Sequence, residues 1–197
     1  MSRIALVAVA LALFAVTALA EDKKPTAQEQ AMMAAWMKHS TPGEFHKKFE
    51  PMAGTWTYTA KFWMTPDAPP MEMTGKAVRK LIMDGRFLQD EVVNEGSAMP
   101  FKGFGLMGYD NHLNKYVMSW IDSMSTSIMQ ATGEVSADGK TFTFTHDDYD
   151  PMLNKTLKSR DVTRITGPDT CTSEFYRTMP DGKEVKGGEI HFTRAKK

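Results

Sequence analysis

Four side chains could do chemistry within an otherwise apolar pattern: Arg79, Trp120, Asp122 and His146. In a strand, successive side chains point to opposite faces. Lys115 and Ser119 mark the outer face of their segment, which turns Tyr116, Met118, Trp120 and Asp122 inward. Threonines do the same around Phe142, Phe144 and His146. Met71, Met73, Ala77, Arg79, Leu81 and Met83 form another inward row, with Asp90 and Arg160 as further candidates. A buried charge is costly unless paired. Arg79 and Asp122 therefore pair with each other, lie in water at a rim, or present a polar head-group site in an apolar pocket, the usual form of a ligand cavity. His146 and Asp122 could form an acid–base couple. No activated nucleophile, serine motif or oxyanion loop accompanies them, so no catalytic residue is assigned.

Other reactive types give weaker signals. The five histidines, His39, His46, His112, His146 and His191, share no metal-ligand spacing. His191 could serve a haem only if it faced inward, and its neighbours Ile190 and Phe192 are the better core-facing pair, which turns it to solvent. Met71-Glu-Met73 resembles thioether pairs that hold cuprous ion, but 16 methionines scattered at core positions read as fillers of an irregular interior. Asp147-Asp148-Tyr149-Asp150-Pro151 reads as a solvated acidic loop, lacking the glycine and further ligands of a calcium loop. Neither metal nor cofactor is expected. Cys171 is the only cysteine, which excludes an intrachain disulfide and a multi-cysteine metal site.

The elements that position these residues follow from periodicity. From Trp56 onward apolar and polar residues alternate, and further strands are predicted over Met71–Met83, Arg86–Glu95, Phe101–Tyr109, Lys115–Ser123, Ser127–Glu134, Lys140–His146, Thr156–Thr166, Thr170–Met179 and Glu184–Arg194. Asp84-Gly85, Asp110-Asn111, Asp138-Gly139, Gly167-Pro168-Asp169 and Pro180-Asp181-Gly182 supply hairpin turns. No helical crossover intervenes, so the sheet is antiparallel, and closure removes its two edges. The expected fold is mainly β: an up-and-down antiparallel barrel of about ten strands preceded by one or two short helices. Thr26-Ala-Gln-Glu29 is a capping box that opens an amphipathic helix to about Lys38, with Met33, Trp36 and Met37 at helical spacing. Thr41-Pro42-Gly43-Glu44 opens a second helix to about Phe49. Before them, a basic start at Arg3, an apolar run Ile4–Ala20 and Ala18-Leu19-Ala20 form a secretory signal, cut after Ala20. The organisation is thus signal 1–20, leader and helix 21–40, and barrel 41–197.

Several phrases carry a resemblance: Thr41-Pro-Gly-Glu-Phe-His46, Met52-Ala-Gly-Thr-Trp56, Asp84-Gly-Arg-Phe-Leu88, Phe101-Lys-Gly-Phe-Gly-Leu-Met-Gly-Tyr-Asp110, Lys115-Tyr-Val-Met-Ser-Trp-Ile-Asp122 and Glu189-Ile-His-Phe-Thr-Arg194. Together they resemble the bacterial domain-of-unknown-function family 1579. That resemblance covers most of the chain beyond the signal and implies a calycin-like barrel, related in shape to lipocalins and fatty-acid-binding proteins, with no known reaction. Gly54-Thr-Trp56 and Arg194 resemble the lipocalin Gly-x-Trp and closing Arg, and imply a guanidinium stacked on an indole to close one barrel end.

Composition narrows the partners. Basic and acidic residues balance at 24 each, which gives no footprint for nucleic acid or an anionic membrane surface. Beyond the signal, no stretch is long and apolar enough to span a membrane. The expectation is an exported, periplasmic or extracellular barrel that binds a small apolar or amphipathic molecule. The alternatives are a solidly packed envelope protein and an enzyme using Asp122 and His146.

Overall fold

A computed structural model describes residues 24–65, 67–94 and 100–196. The expected signal segment, its cut after Ala20 and the first leader residues lie outside the described residues. The chain divides into two units, one ending at Met37 and one starting at Lys38.

Helix α1 spans Ala27–Ser40. Its start is the expected capping box: the Glu29 amide donates to Thr26 Oγ1 at 3.2 Å, and Glu29 Oε2 accepts the Thr26 amide at 2.7 Å. Amphipathic packing does not follow, because α1 buries none of its residues, and Met33, Trp36 and Met37 are exposed. No helix among the described residues is long and apolar enough to cross a membrane.

In the second unit, helix α2 (Glu44–Lys47) and a 3-10 turn (Glu50–Met52) precede ten strands. These are β1 (Gly54–Phe62), β2 (Met71–Ile82), β3 (Phe87–Asn94), β4 (Phe101–Asp110), β5 (Lys115–Asp122), β6 (Met129–Val135), β7 (Thr141–Asp150), β8 (Lys155–Gly167), β9 (Thr170–Thr178) and β10 (Glu184–Arg194). Each pairs antiparallel with its neighbours in sequence, and β1 pairs with β10 to close the barrel. The acidic run Asp147–Asp150 is not a loop. It continues β7, held rung by rung against β8 to Asp150–Lys155. Met64 falls beyond the end of β1 and is exposed.

The helical segment plugs one end. Phe49 is fully buried among Tyr116 and Phe142, with ring centroids 5.4 and 5.7 Å away, and Met52 joins the same core. Phe45 stays partly exposed, stacked 4.5 Å from Tyr109. The Tyr116 hydroxyl donates to the Phe45 carbonyl at 2.9 Å, and the Trp56 indole to the Met52 carbonyl at 2.9 Å. Arg194, directly opposite Trp56 in the β1–β10 register, places its guanidinium 4.2 Å from the indole centroid. It donates to the carbonyls of Ala53 (2.7 Å) and Pro51 (2.8 Å) and pairs with Asp169 (3.0 Å). Gly54 makes room for it: with φ +134°, a Cβ there would fall 2.3 Å from the Arg194 Nη1. The arrangement predicts that Trp56→Ala lowers stability by about 3–5 kcal/mol, as for other buried large aromatics. Urea unfolding measures it, and a loss below about 1 kcal/mol would show that Trp56 is not part of the plug.

Candidate functional site

Arg79 lies on the inner face of β2, almost wholly buried, and its carboxylate partner is Asp90. The Nε donates to Asp90 Oδ2 at 3.0 Å, while Nη1 lies 3.9 Å from Cys171 Sγ. The guanidinium covers the Phe192 ring at 4.3 Å and stands 5.8 Å from the Trp56 centroid. Of the arrangements the sequence allowed, an Arg79–Asp122 pair therefore does not form. Asp90 is opposite Arg79 on the adjacent strand, whereas Asp122 is on β5, opposite Gly103 of β4. Burial is the largest influence on the Arg79 pKa and would push it down; the Asp90 charge, the Cys171 sulfur and the hydrogen bonds to both together outweigh it and raise the value, so the group stays cationic. Burial pushes the Cys171 thiol up against the opposing pull of Arg79, which keeps it neutral. The second Asp90 oxygen has no hydrogen-bond partner among the described residues.

Asp122 serves Trp120. Its Oδ2 accepts the indole N–H at 2.8 Å, and its Oδ1 accepts the Met124 amide at 2.8 Å, so the carboxylate is tied to the turn after β5. Trp120 lies flat on the inner wall because glycines face it: a Cβ on Gly103 would fall 2.3 Å from its ring, and one on Gly105 at 3.0 Å. The same device recurs around the end opposite the plug. Phe62 and Phe175, stacked at 6.0 Å, lie over Gly188, and Tyr58 lies over Gly75. Phe101 stacks on Trp120 at 6.4 Å. Phe62, Phe101, Trp120 and Phe175 all point inward yet are only half-buried. Close by, the buried Asn94 Nδ2 has no hydrogen-bond partner among the described residues.

His146 faces inward on β7, its side chain 7% exposed, and its acidic neighbour is Asp161 rather than Asp122. Nε2 stands 3.3 Å from Asp161 Oδ2 without hydrogen-bond alignment, and Nδ1 has no hydrogen-bond partner among the described residues. Burial would pull the imidazole below the ordinary histidine range; the Asp161 carboxylate, helped by Asp148, outweighs this and raises it. Asp161 is absent from the sequence reading because Val162 beside it is also buried, which blurs the alternation along β8. Arg160, a candidate for the interior, points out: it binds Glu184 through two hydrogen bonds (2.8 and 2.5 Å) and covers Tyr176 at 4.3 Å. His191 is exposed, as its flanking residues imply. No group of three or more His, Cys, Asp or Glu among the described residues could hold a metal.

A closed antiparallel barrel agrees with the barrel that the resemblance implies, and a family model matches over residues 41–194. The chain belongs to the DUF1579 family of proteins of unknown function. Among solved structures, Rv2717c from M. tuberculosis is 14% identical with a TM-score of 0.56, over 79% of this chain and all of that one. At that identity the likeness speaks for the fold alone. A redesigned β-barrel, b11L5F_LGL, is 15% identical with a TM-score of 0.39 over 76% of this chain and 96% of its own. No curated protein matches this chain.

Two outcomes follow for this DUF1579 barrel. Asp90→Leu alone strands Arg79 and should cost about 3–5 kcal/mol, while adding Arg79→Met should recover most of it. Urea unfolding of the double-mutant cycle tests this, and additive losses would mean that the two are not coupled. The histidines should titrate on opposite sides of 6.5, the ordinary value: His146 above, and His46, where burial dominates and the Gly43 amide donates to Nδ1 at 3.0 Å, below. The raised His146 contributes stability that is complete below pH 6.5 and is lost as pH rises through its folded pKa. Histidine-selective NMR titration reads both, and a His146 midpoint below 6.5 would refute the Asp161 pairing.

Proposed function

We propose that this protein is a non-enzymatic binder of a small apolar or amphipathic molecule, held at the barrel end opposite the plug, and that it acts after export. The observation that carries the reading is the way the large rings lie. Trp120, Phe62 and Phe175 are set flat on glycines of the wall rather than across the lumen, and they remain half-exposed. A barrel packed solid would send its rings toward the axis and bury them. Flat rings instead leave an apolar, aromatic lining, with Met73 beside it and the Asn94 amide for a polar head. Mostly apolar walls with a few convergent polar groups are the common form of a small-molecule site. Export is supported by the basic start, apolar run and Ala18-Leu19-Ala20 of the first 20 residues.

Neither Asp122, tied to Trp120 and Met124, nor His146 meets a partner set suited to catalysis at this end. The test is a titration with N-phenyl-1-naphthylamine, a neutral apolar fluorophore, read by its own emission and by quenching of tryptophan. Saturable binding near one equivalent is expected. Gly188→Leu should weaken it at least tenfold, because a side chain there displaces Phe62 and Phe175 toward the lumen. Far-UV circular dichroism checks that the variant remains folded. No saturable binding, or binding indifferent to Gly188→Leu, would refute the site. Native mass spectrometry of protein purified from its own host should find a co-purified ligand, and its measured mass shows whether the first 20 residues are removed.

A further inference from the structure

The barrel wall is uneven at one seam. β6 and β7 share four rungs, from Val135–Phe142 to Thr132–Thr145, and there the ladder stops. Beyond it β6 stays with β5 as far as Trp120–Met129, and β7 stays with β8 as far as Asp150–Lys155. The wall therefore parts between β6 and β7, and His146 is the first residue past the last rung. A cleft of about 840 Å³ lies here, lined by residues from both faces of the sheet: inward Met118, Ala131 and His146, outward Val117, Thr132 and Thr145.

The chemistry of the lining selects the ligand. Ser119, Gln130, Thr132, Thr145, Ser159 and Thr178 offer uncharged hydroxyls and an amide. The lining charges are engaged with one another: Lys158 with Asp147 at 2.6 Å, Arg160 with Glu184, and His146 facing Asp161 at 3.3 Å. An ionic ligand would have to break one of these pairs, and an alkyl chain would leave the hydroxyls unpaired. At the floor, the His146 ring is more than nine-tenths buried with no hydrogen bond to either nitrogen, and Ser159 stands directly opposite it across β7 and β8. Nε2 already faces Asp161, and buried polar groups are nearly always satisfied, so Nδ1 is the nitrogen that awaits a partner. A hydroxyl suits it in either state of the ring, since it both donates and accepts.

We propose that the parting between β6 and β7 is a second binding site, separate from the aromatic end, for a neutral polyhydroxylated molecule of one or two sugar rings, with one hydroxyl bonded to His146. The cleft is within the size range of ordinary small-molecule sites, roughly 300–1,000 Å³.

The test uses the full chain with isotope-labelled histidine and tryptophan, following imidazole and indole signals by NMR. Maltose and N,N′-diacetylchitobiose are the probes; sodium gluconate and octanol are the anionic and apolar controls. At least one saccharide should shift the His146 signals saturably and leave the exposed His191 unmoved, while the controls leave His146 unmoved. His146→Phe, similar in size but unable to hydrogen bond, should weaken that binding at least tenfold by calorimetry. If His146→Phe does not fold, Ser159→Ala on the facing strand should weaken it at least threefold. No saturable shift from either saccharide, an equal shift from gluconate or octanol, or affinity unchanged in the folded variant would each overturn the proposal. Octanol that moves Trp120 but not His146 is the result expected if both sites exist. Octanol that moves neither refutes the aromatic site alone.

Discussion

Trp56 is the residue on which the barrel's organisation depends, because two guanidiniums address it from different places. Arg194 covers it at the rim, 4.2 Å from the ring centroid, and Arg79 stands 5.8 Å away in the interior. An indole offers a cation a favourable face without taking its hydrogen bonds. Each arginine is therefore free to spend its N–H groups elsewhere: Arg194 on the carbonyls of Pro51 and Ala53, Arg79 on Asp90. The indole N–H in turn holds Met52 at the end of the plug. One ring thus links the helical cap, the first and last strands and the buried ion pair. That pair sits against two apolar rings, where an uncompensated charge would be costly, and Asp90 offsets that cost through the neighbouring strand.

Ring burial, rather than glycine placement, divides the interior. Toward the plug, Phe49, Phe142 and Tyr116 project inward and fill the space with edge and stacked contacts, and Phe144 lies buried against Gly133. Toward the other end, Trp120, Phe62 and Phe175 lie against Gly103, Gly105 and Gly188 but stay half-buried. A glycine in a strand lets a ring approach the backbone closely, and it is the neighbouring rings that decide whether the interior there is filled.

Most of the architecture could be read from the chain because its signals are local. Alternation gave nine strands after β1 to within a few residues, and Asp-Gly and Asp-Asn turns set the hairpins. The plug was legible as a helix signal at Pro42 and Gly43, and Trp56 with Arg194 through a resemblance rather than from periodicity. Side-chain partnership was harder, since it depends on register. For Arg79 the signal was present: five residues outward from Asp84 and five from Gly85 lead to Arg79 and Asp90, the pair that forms. Counting out from the hairpin centre would have replaced Asp122 with Asp90. For His146 no such count was available, because the acidic run read as a loop hid the last four residues of β7 and with them the true turn at Pro151–Asn154. The exposed apolar residues of α1 show the converse limit: helical spacing marks a face but does not supply a surface to cover it.

The β1–β10 seam has a consequence for the order in which this molecule can be made. Arg194 reaches the Ala53 carbonyl across 141 residues of sequence. Hairpins β2–β3 through β9–β10 can form as soon as their own residues exist, but the cylinder stays an open ribbon until its final strand arrives. Closing a loop of that length costs on the order of 4 kcal/mol of chain entropy, recovered only when the seam zips. Until then two strand edges stand unpaired and able to capture other chains. A nascent copy that lacks β10 is therefore an aggregation hazard, and that strand acts as the clasp that ends it.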